Sequence, residues 1–241
     1  MSVPLFDPPA RKPFGKHAIR IDCEQGGGAW LDLRKGRPTA SRFDCIITKK
    51  GKRTANAART NYIRELVVER ITGRVYEHYV SKPMEFGTLM EPQARAHYTD
   101  ATGREVEQVG FILHDSEAYG CSPDGLVGDD GMVEIKVPTT ATYLGQIIAE
   151  AATEKAYVQQ VQAQMWICER AWCDLCIYAD EHQEVTATGI KNRSPNSPVF
   201  PSRIIRVEAD LKYHDALDIE LHAFCAEVAE AEARCMARIS A

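Results

Sequence analysis

Residues 121–137 read CSPDGLVGDDGMVEIKV. Pro123-Asp124-Gly125 is a turn signal at the end of a short apolar run, and Glu134-Ile135-Lys136 follows Asp124 after nine intervening residues, inside a second apolar run. Both runs have strand character, and the Gly- and Asp-rich tract 128–131 suits the turn between them. Alternation along a strand places Glu134 and Lys136 on one face and turns Ile135 to the other. A hairpin-like pairing sets Asp124 beside Glu134, so that two carboxylates and an ammonium share one patch. Paired carboxylates suit a hard cation such as Mg²⁺, which takes oxygen ligands and keeps several waters. Such a cation can activate water and offset charge on a phosphodiester. The plainer reading is a surface turn followed by an edge-strand ion pair. E-x-K alone occurs by chance in many proteins, whereas the full spacing P-D-x9-E-x-K is more specific.

Flanking segments set the fold class. Upstream, NYIRELVVERI (61–71) has helical spacing, a short helix is expected over 29–33, and a second long helix covers roughly 87–100, with Pro92 near its opening or at a kink. Strands are expected over 105–113, 118–122, 125–127 and 132–137. Downstream come a helix over 155–170, a strand in WCDLCIYAD (172–180), a polar loop over 181–202 and a strand in SRIIRVEA (202–209). An amphipathic helix over about 210–239 closes the chain, with Leu217, Leu221, Phe224 and Val228 on one face. The order implies an α/β fold of the α+β kind, a mixed sheet flanked by helices. Residues 1–21, with little periodicity, are expected to form a loose arm ahead of one domain over 22–241. The stretch 47–61 reads as a basic loop.

Composition narrows the class. The 241 residues are 44% hydrophobic and 26% charged, and no apolar run approaches the ~20 residues that cross a bilayer. The start lacks the apolar h-region of a secretory signal, so a cytosolic chain with reduced thiols and no membrane partner is expected. Cys168, Cys173 and Cys176 include a C-x-x-C, but in a strand residues three apart face opposite ways, which favours buried core thiols over a metal cluster. Net charge is −5, yet residues 1–60 hold 13 Lys/Arg against 5 Asp/Glu, while the remainder hold 16 against 29. A basic N-terminal quarter could meet a polyanion, or be a solvated arm. No phosphate-loop, dinucleotide or nucleophile-elbow motif is present.

Two more features adjoin the central motif. Glu91, in GTLMEPQAR, could add an acid from the helix before the strands, though it also reads as a solvated helix glutamate. Gln160 and Gln164 share a helix face (i, i+4), where a glutamine row can orient waters or phosphates.

The set Gly87-x3-Glu91, Ser122-Pro123-Asp124-Gly125, Glu134-Ile135-Lys136 and Gln160-Val161-Gln162 resembles the YqaJ-type viral recombinases, the phage lambda exonuclease family of the PD-(D/E)XK nuclease superfamily. Glu24-Gln25-Gly26, Ala29-Trp30, Leu33-Arg34, Gly36 and Thr39-Ala40-Ser41 stand in that family's order, and the likeness runs from about 22 to about 180. The resemblance implies that Asp124, Glu134, the carbonyl of Ile135 and Glu91 hold Mg²⁺, with Mn²⁺ as a substitute. It implies that Lys136 positions the attacking water, that Gln160 is the glutamine of the motif helix, and that Arg34 and Ser41 grip a 5′-phosphate. The implied activity is a 5′→3′ exonuclease on double-stranded DNA ends, leaving 3′ overhangs for a single-strand annealing protein in phage-type recombination. A homotrimer ring and a phage or prophage gene acting in the bacterial cytoplasm belong to the same implication. An endonuclease or repair nuclease of the superfamily, or a non-catalytic end-binding accessory, are the alternatives.

Overall fold

The computed structural model describes residues 9–76, 81–148, 154–196 and 198–240. In chain order the elements are β1 (Arg11–Pro13), β2 (Ala18–Ile21), α1 (Gly28–Arg34), a 3-10 turn over Ala40–Cys45, α2 (Ala57–Thr72) and α3 (Lys82–Thr102). Then follow β3 (Phe111–His114), β4 (Gly120–Cys121), β5 (Gly125–Val127), β6 (Gly131–Lys136), α4 (Thr140–Ile148) and α5 (Glu154–Cys168). The chain finishes with β7 (Trp172–Ile177), β8 (Gln183–Val185), β9 (Ile190–Asn192), β10 (Arg203–Glu208) and α6 (Leu211–Ile239).

The central sheet has the order β10-β7-β6-β5. β5 and β6 form an antiparallel hairpin in which Gly125 faces Val133, so the pairing carried one step on sets Asp124 against Glu134. β6 and β7 run parallel, Glu134 facing Leu175. Parallel neighbours need a crossover, and α4 and α5 supply it. Apolar residues of β6 alternate between two clusters. Met132 packs with Cys173, Leu175, Val161 and Met165, on the α5 side. Val133 and Ile135 pack with Met90, Ala94 and Tyr98 of α3 and with Cys176. Cys173 and Cys176 therefore lie on opposite faces of the sheet, as the strand period requires.

A second sheet, β1-β2-β3-β4, corrects the expectation of a loose arm. Ile21 is sealed against Phe111 and Leu113, and β2 pairs with β3 along its length. Pro13 is tolerated because β1 is an edge strand, where a missing N–H leaves no ladder gap. Residues 1–8 lie outside the described residues. Residues 183–192, expected within a polar loop, form the β8–β9 hairpin. α4 had no counterpart in the sequence reading.

Local chemistry accounts for the helix ends. Asn56 caps α2, its Oδ1 accepting from the N–H groups of Ala58 and Arg59, and Gly73 closes it at φ 66°. Helix α3 starts earlier than the spacing suggested, at Lys82 with Pro83 in its first turn. Pro92 lies inside it and withholds the N–H that would reach the Thr88 carbonyl. Helix α6 covers α2, and Leu217, Leu221, Phe224 and Val228 are all fully buried.

Candidate active site

The β5–β6 hairpin brings Asp124, Glu134 and Lys136 to one cleft of about 480 Å³, which Glu91, Thr88, Tyr157 and Gln160 also line. Asp124 ends the turn before β5. The N–H of Ile135 donates to Asp124 Oδ2 at 2.6 Å, which locks the turn to the strand. A Cβ on Gly125 would lie 2.1 Å from Val106 Cγ1, so this approach excludes any side chain there.

Glu134 is 2% exposed, and its carboxylate is fully engaged. Oε1 accepts from Lys136 Nζ and from Gln160 Nε2, each at 2.5 Å, and Oε2 accepts from Gln164 Nε2 at 2.9 Å. Lys136 Nζ also donates to Gln160 Oε1 at 3.1 Å. A buried carboxylate is tolerable only with such partners. Burial alone would lower the Lys136 ammonium, but Glu134 and Asp124 more than offset it and raise its pKa. The ammonium is therefore a fixed charge and donor. Burial, with the charges of Glu134 and Glu91, pushes Asp124 well above the usual carboxylate range, against the pull of Lys136.

Glu91 lies on α3 at the same cleft. Its Oε1 accepts from Arg95 Nη2, one helical turn on. Arg95 Nε donates to the Asp124 carbonyl at 3.3 Å, and the Gln108 amide, with its oxygen turned to the guanidinium, takes Arg95 Nη1 at 2.9 Å and Nη2 at 3.1 Å.

The donor set fits a hard cation of the kind expected. Three carboxylates face two cations, and the surplus of negative charge is felt at Asp124. Among the described residues no three Asp, Glu, His or Cys side chains form a closed metal cage. Glu91, the third acid of the expected set, lines the same cleft with one carboxylate oxygen turned to Arg95. An open set of one or two carboxylates with waters is the way Mg²⁺ is usually held.

Arg34 and Ser41 stand apart from the hairpin. Arg34 closes α1, with its guanidinium carbon 4.1 Å from the Trp30 ring centroid, and Trp30 Nε1 donates to Ser122 Oγ at 2.7 Å, two residues before Asp124. Burial lowers the Arg34 guanidinium, and Tyr62 is among the groups that counter it. Arg42 also stacks on Tyr62, at 4.5 Å. Ser41 is exposed, its Oγ 3.4 Å from Thr39 Oγ1. The structure thus links Arg34 to the Asp124 turn through Trp30. Sequence reasoning missed Arg95, and it noticed Gln164 without giving it a place in the site; their i+4 spacing from Glu91 and Gln160 was the available signal.

The YqaJ-like viral recombinase domain matches residues 29–171, which contain every element of this cleft. The chain belongs to the YqaJ-like viral recombinase family. The alkaline exonuclease of Laribacter hongkongensis has the same fold at TM-score 0.72 and 32% identity, over 89% of this chain and 98% of the other, and its complex with dAMP matches equally. A phage-related exonuclease of Haemophilus somnus, 15% identical over 85% of this chain and 99% of the other, shares the fold at TM-score 0.62. No curated protein matches the chain significantly. The YqaJ-like chain is a nuclease of the PD-(D/E)XK fold class.

Proposed function

We propose that the chain is a Mg²⁺-dependent exonuclease that degrades one strand of linear double-stranded DNA in the 5′→3′ direction and leaves 3′ single-stranded overhangs. The observation that carries this reading is the single cleft holding Asp124, Glu134 and Lys136, paired across one hairpin. Asp124, Glu134, Ile135 and Glu91 would hold Mg²⁺, or Mn²⁺ in its place. When bound, the cation supplies a Lewis acid that activates water and offsets the charge of the phosphate. Lys136 holds a donor toward that water, aimed by Glu134 and Gln160. Gln160 and Gln164 keep Glu134 in one rotamer. Arg34 offers a guanidinium fork to a 5′-terminal phosphate, with Ser41 as a second contact.

Likeness to exonucleases over nearly the whole chain supports the end-directed reading. The wider role follows from it: recombination of phage or prophage DNA in the bacterial cytoplasm, with an annealing protein receiving the overhang and a homotrimer ring giving processivity. The test is incubation with Mg²⁺ and two DNAs, a linear 5′-phosphorylated duplex and a covalently closed circle, with EDTA as control. Loss of the linear DNA alone, with single strands accumulating, is expected. Cutting of the circle would replace the reading with an endonuclease.

A further inference from the structure

The acid of α3 is held by a neighbour that the chemistry above does not use. Arg95 is largely buried, with 14% of its side chain exposed, and it makes contacts in three directions. It pairs with Glu91 Oε1, donates to the backbone carbonyl of Asp124, and is itself anchored by Gln108. Glu91 and the turn that carries Asp124, both expected to serve the cation, thus hang on one guanidinium. Glu91 Oε2 has no hydrogen-bond partner among the described residues. Without Arg95, Glu91 faces Asp124 and Glu134 as a third like charge, and nothing holds it in the cleft. Repulsion would swing it to water, and the Asp124 turn would lose its tie to α3.

We propose that Arg95 is a positioning residue that sets the affinity of this cleft for its divalent cation, by aiming Glu91 and bracing the Asp124 main chain. The proposal rests on the metal site assigned above. Groups that orient ligands are commonly worth 10- to 100-fold in metal affinity. Lysine at 95 can reach one partner but cannot serve Glu91, the Asp124 carbonyl and Gln108 together, since it lacks the planar fork.

The experiment is a Mn²⁺ titration of the DNA-free protein, followed by the electron paramagnetic resonance of unbound Mn²⁺, so that no turnover is needed. Arg95→Ala, Arg95→Lys, Gln108→Ala and Asp124→Ala are compared, with circular dichroism melting as the check of fold. The expected result is a rise of about 10-fold or more in the Mn²⁺ dissociation constant for Arg95→Ala, with a smaller rise for Arg95→Lys and Gln108→Ala. The Mn²⁺ concentration that half-saturates cleavage should rise in step, while turnover at saturating Mn²⁺ falls much less. Gln108→Ala lies off the cleft and keeps the test valid if Arg95→Ala melts early. Unchanged affinity in both folded variants, alongside lost binding in Asp124→Ala, overturns the role of Arg95 and leaves the metal site standing. Unchanged affinity in Asp124→Ala as well overturns the metal site, and the role of Arg95 with it.

Discussion

Lys136 shows how far a single residue can be read in isolation. Its place beside Glu134 followed from strand alternation, and its cationic state follows from two carboxylates outweighing burial. Lys136→Ala should therefore bind DNA as before and lose cleavage by roughly 10²–10³-fold, the usual value of one preorganised donor. Retained cleavage in a folded variant removes it from the chemistry. Arg34→Ala should slow digestion of 5′-phosphorylated ends by about 10–100-fold, the worth of a charge-assisted hydrogen bond, and spare 5′-hydroxyl ends. Equal loss on both ends would assign Arg34 a structural role instead. Glu91 was the least legible member. Its acid type was plain from the sequence, but its engagement with Arg95 depends on a helix that packs only in the folded chain.

At the scale of elements, the hairpin and α5 were legible because apolar period and turn chemistry agreed. The β1–β2 hairpin was not, because RKP and AIRI are too short for a period to declare itself, and their partner β3 lies about 90 residues on. Helix α4 went unread although Thr139 stands at its start, its Oγ1 accepting from the N–H of Thr142 at 3.1 Å. Close strand packing carries a prediction of its own. A Cβ at Gly131 would stand 2.0 Å from the Trp172 indole. Gly131→Ala should cost about 1–3 kcal/mol of stability by denaturant titration, as overpacking does, with a change in Trp172 fluorescence. A neutral result would show that the indole can shift without cost.

Across the whole molecule, folding redistributes the charge that the sequence shows as lopsided. Arg11, Arg20, Arg42 and Arg59 of the basic first 60 residues pair with Glu117, Glu107, Glu65 and Glu227 from beyond them. Lys49, Lys50 and Lys52 are exposed and make no ion pair among the described residues. If they meet phosphates, replacing all three by alanine flattens the salt dependence of DNA binding by a slope of about 3, near 0.9 for each contact. An unchanged slope would place the DNA elsewhere. Acid should weaken the fold as well. Burial lowers both His114 and His214, although Asp115 and Asp210 pull the other way. The unfolded chain then takes up protons near pH 6.5 that the fold refuses, so stability is full above that pH and declines below it. Thermal melts between pH 7.5 and 5 measure this, and a flat profile would contradict it. Finally, α2 is buried by α6, with Tyr62 stacked on Phe224 at 5.5 Å and Arg59 tied to Glu227. Tyr62 in turn stands beside Arg34. During synthesis α2 should therefore stay uncovered until the last helix has left the ribosome. A nascent chain that already carries Asp124, Glu134 and Lys136 should then still be harmless to DNA, and a chain ended before Leu211 should show neither a cooperative melt nor cleavage, so that either one in that truncation would contradict this.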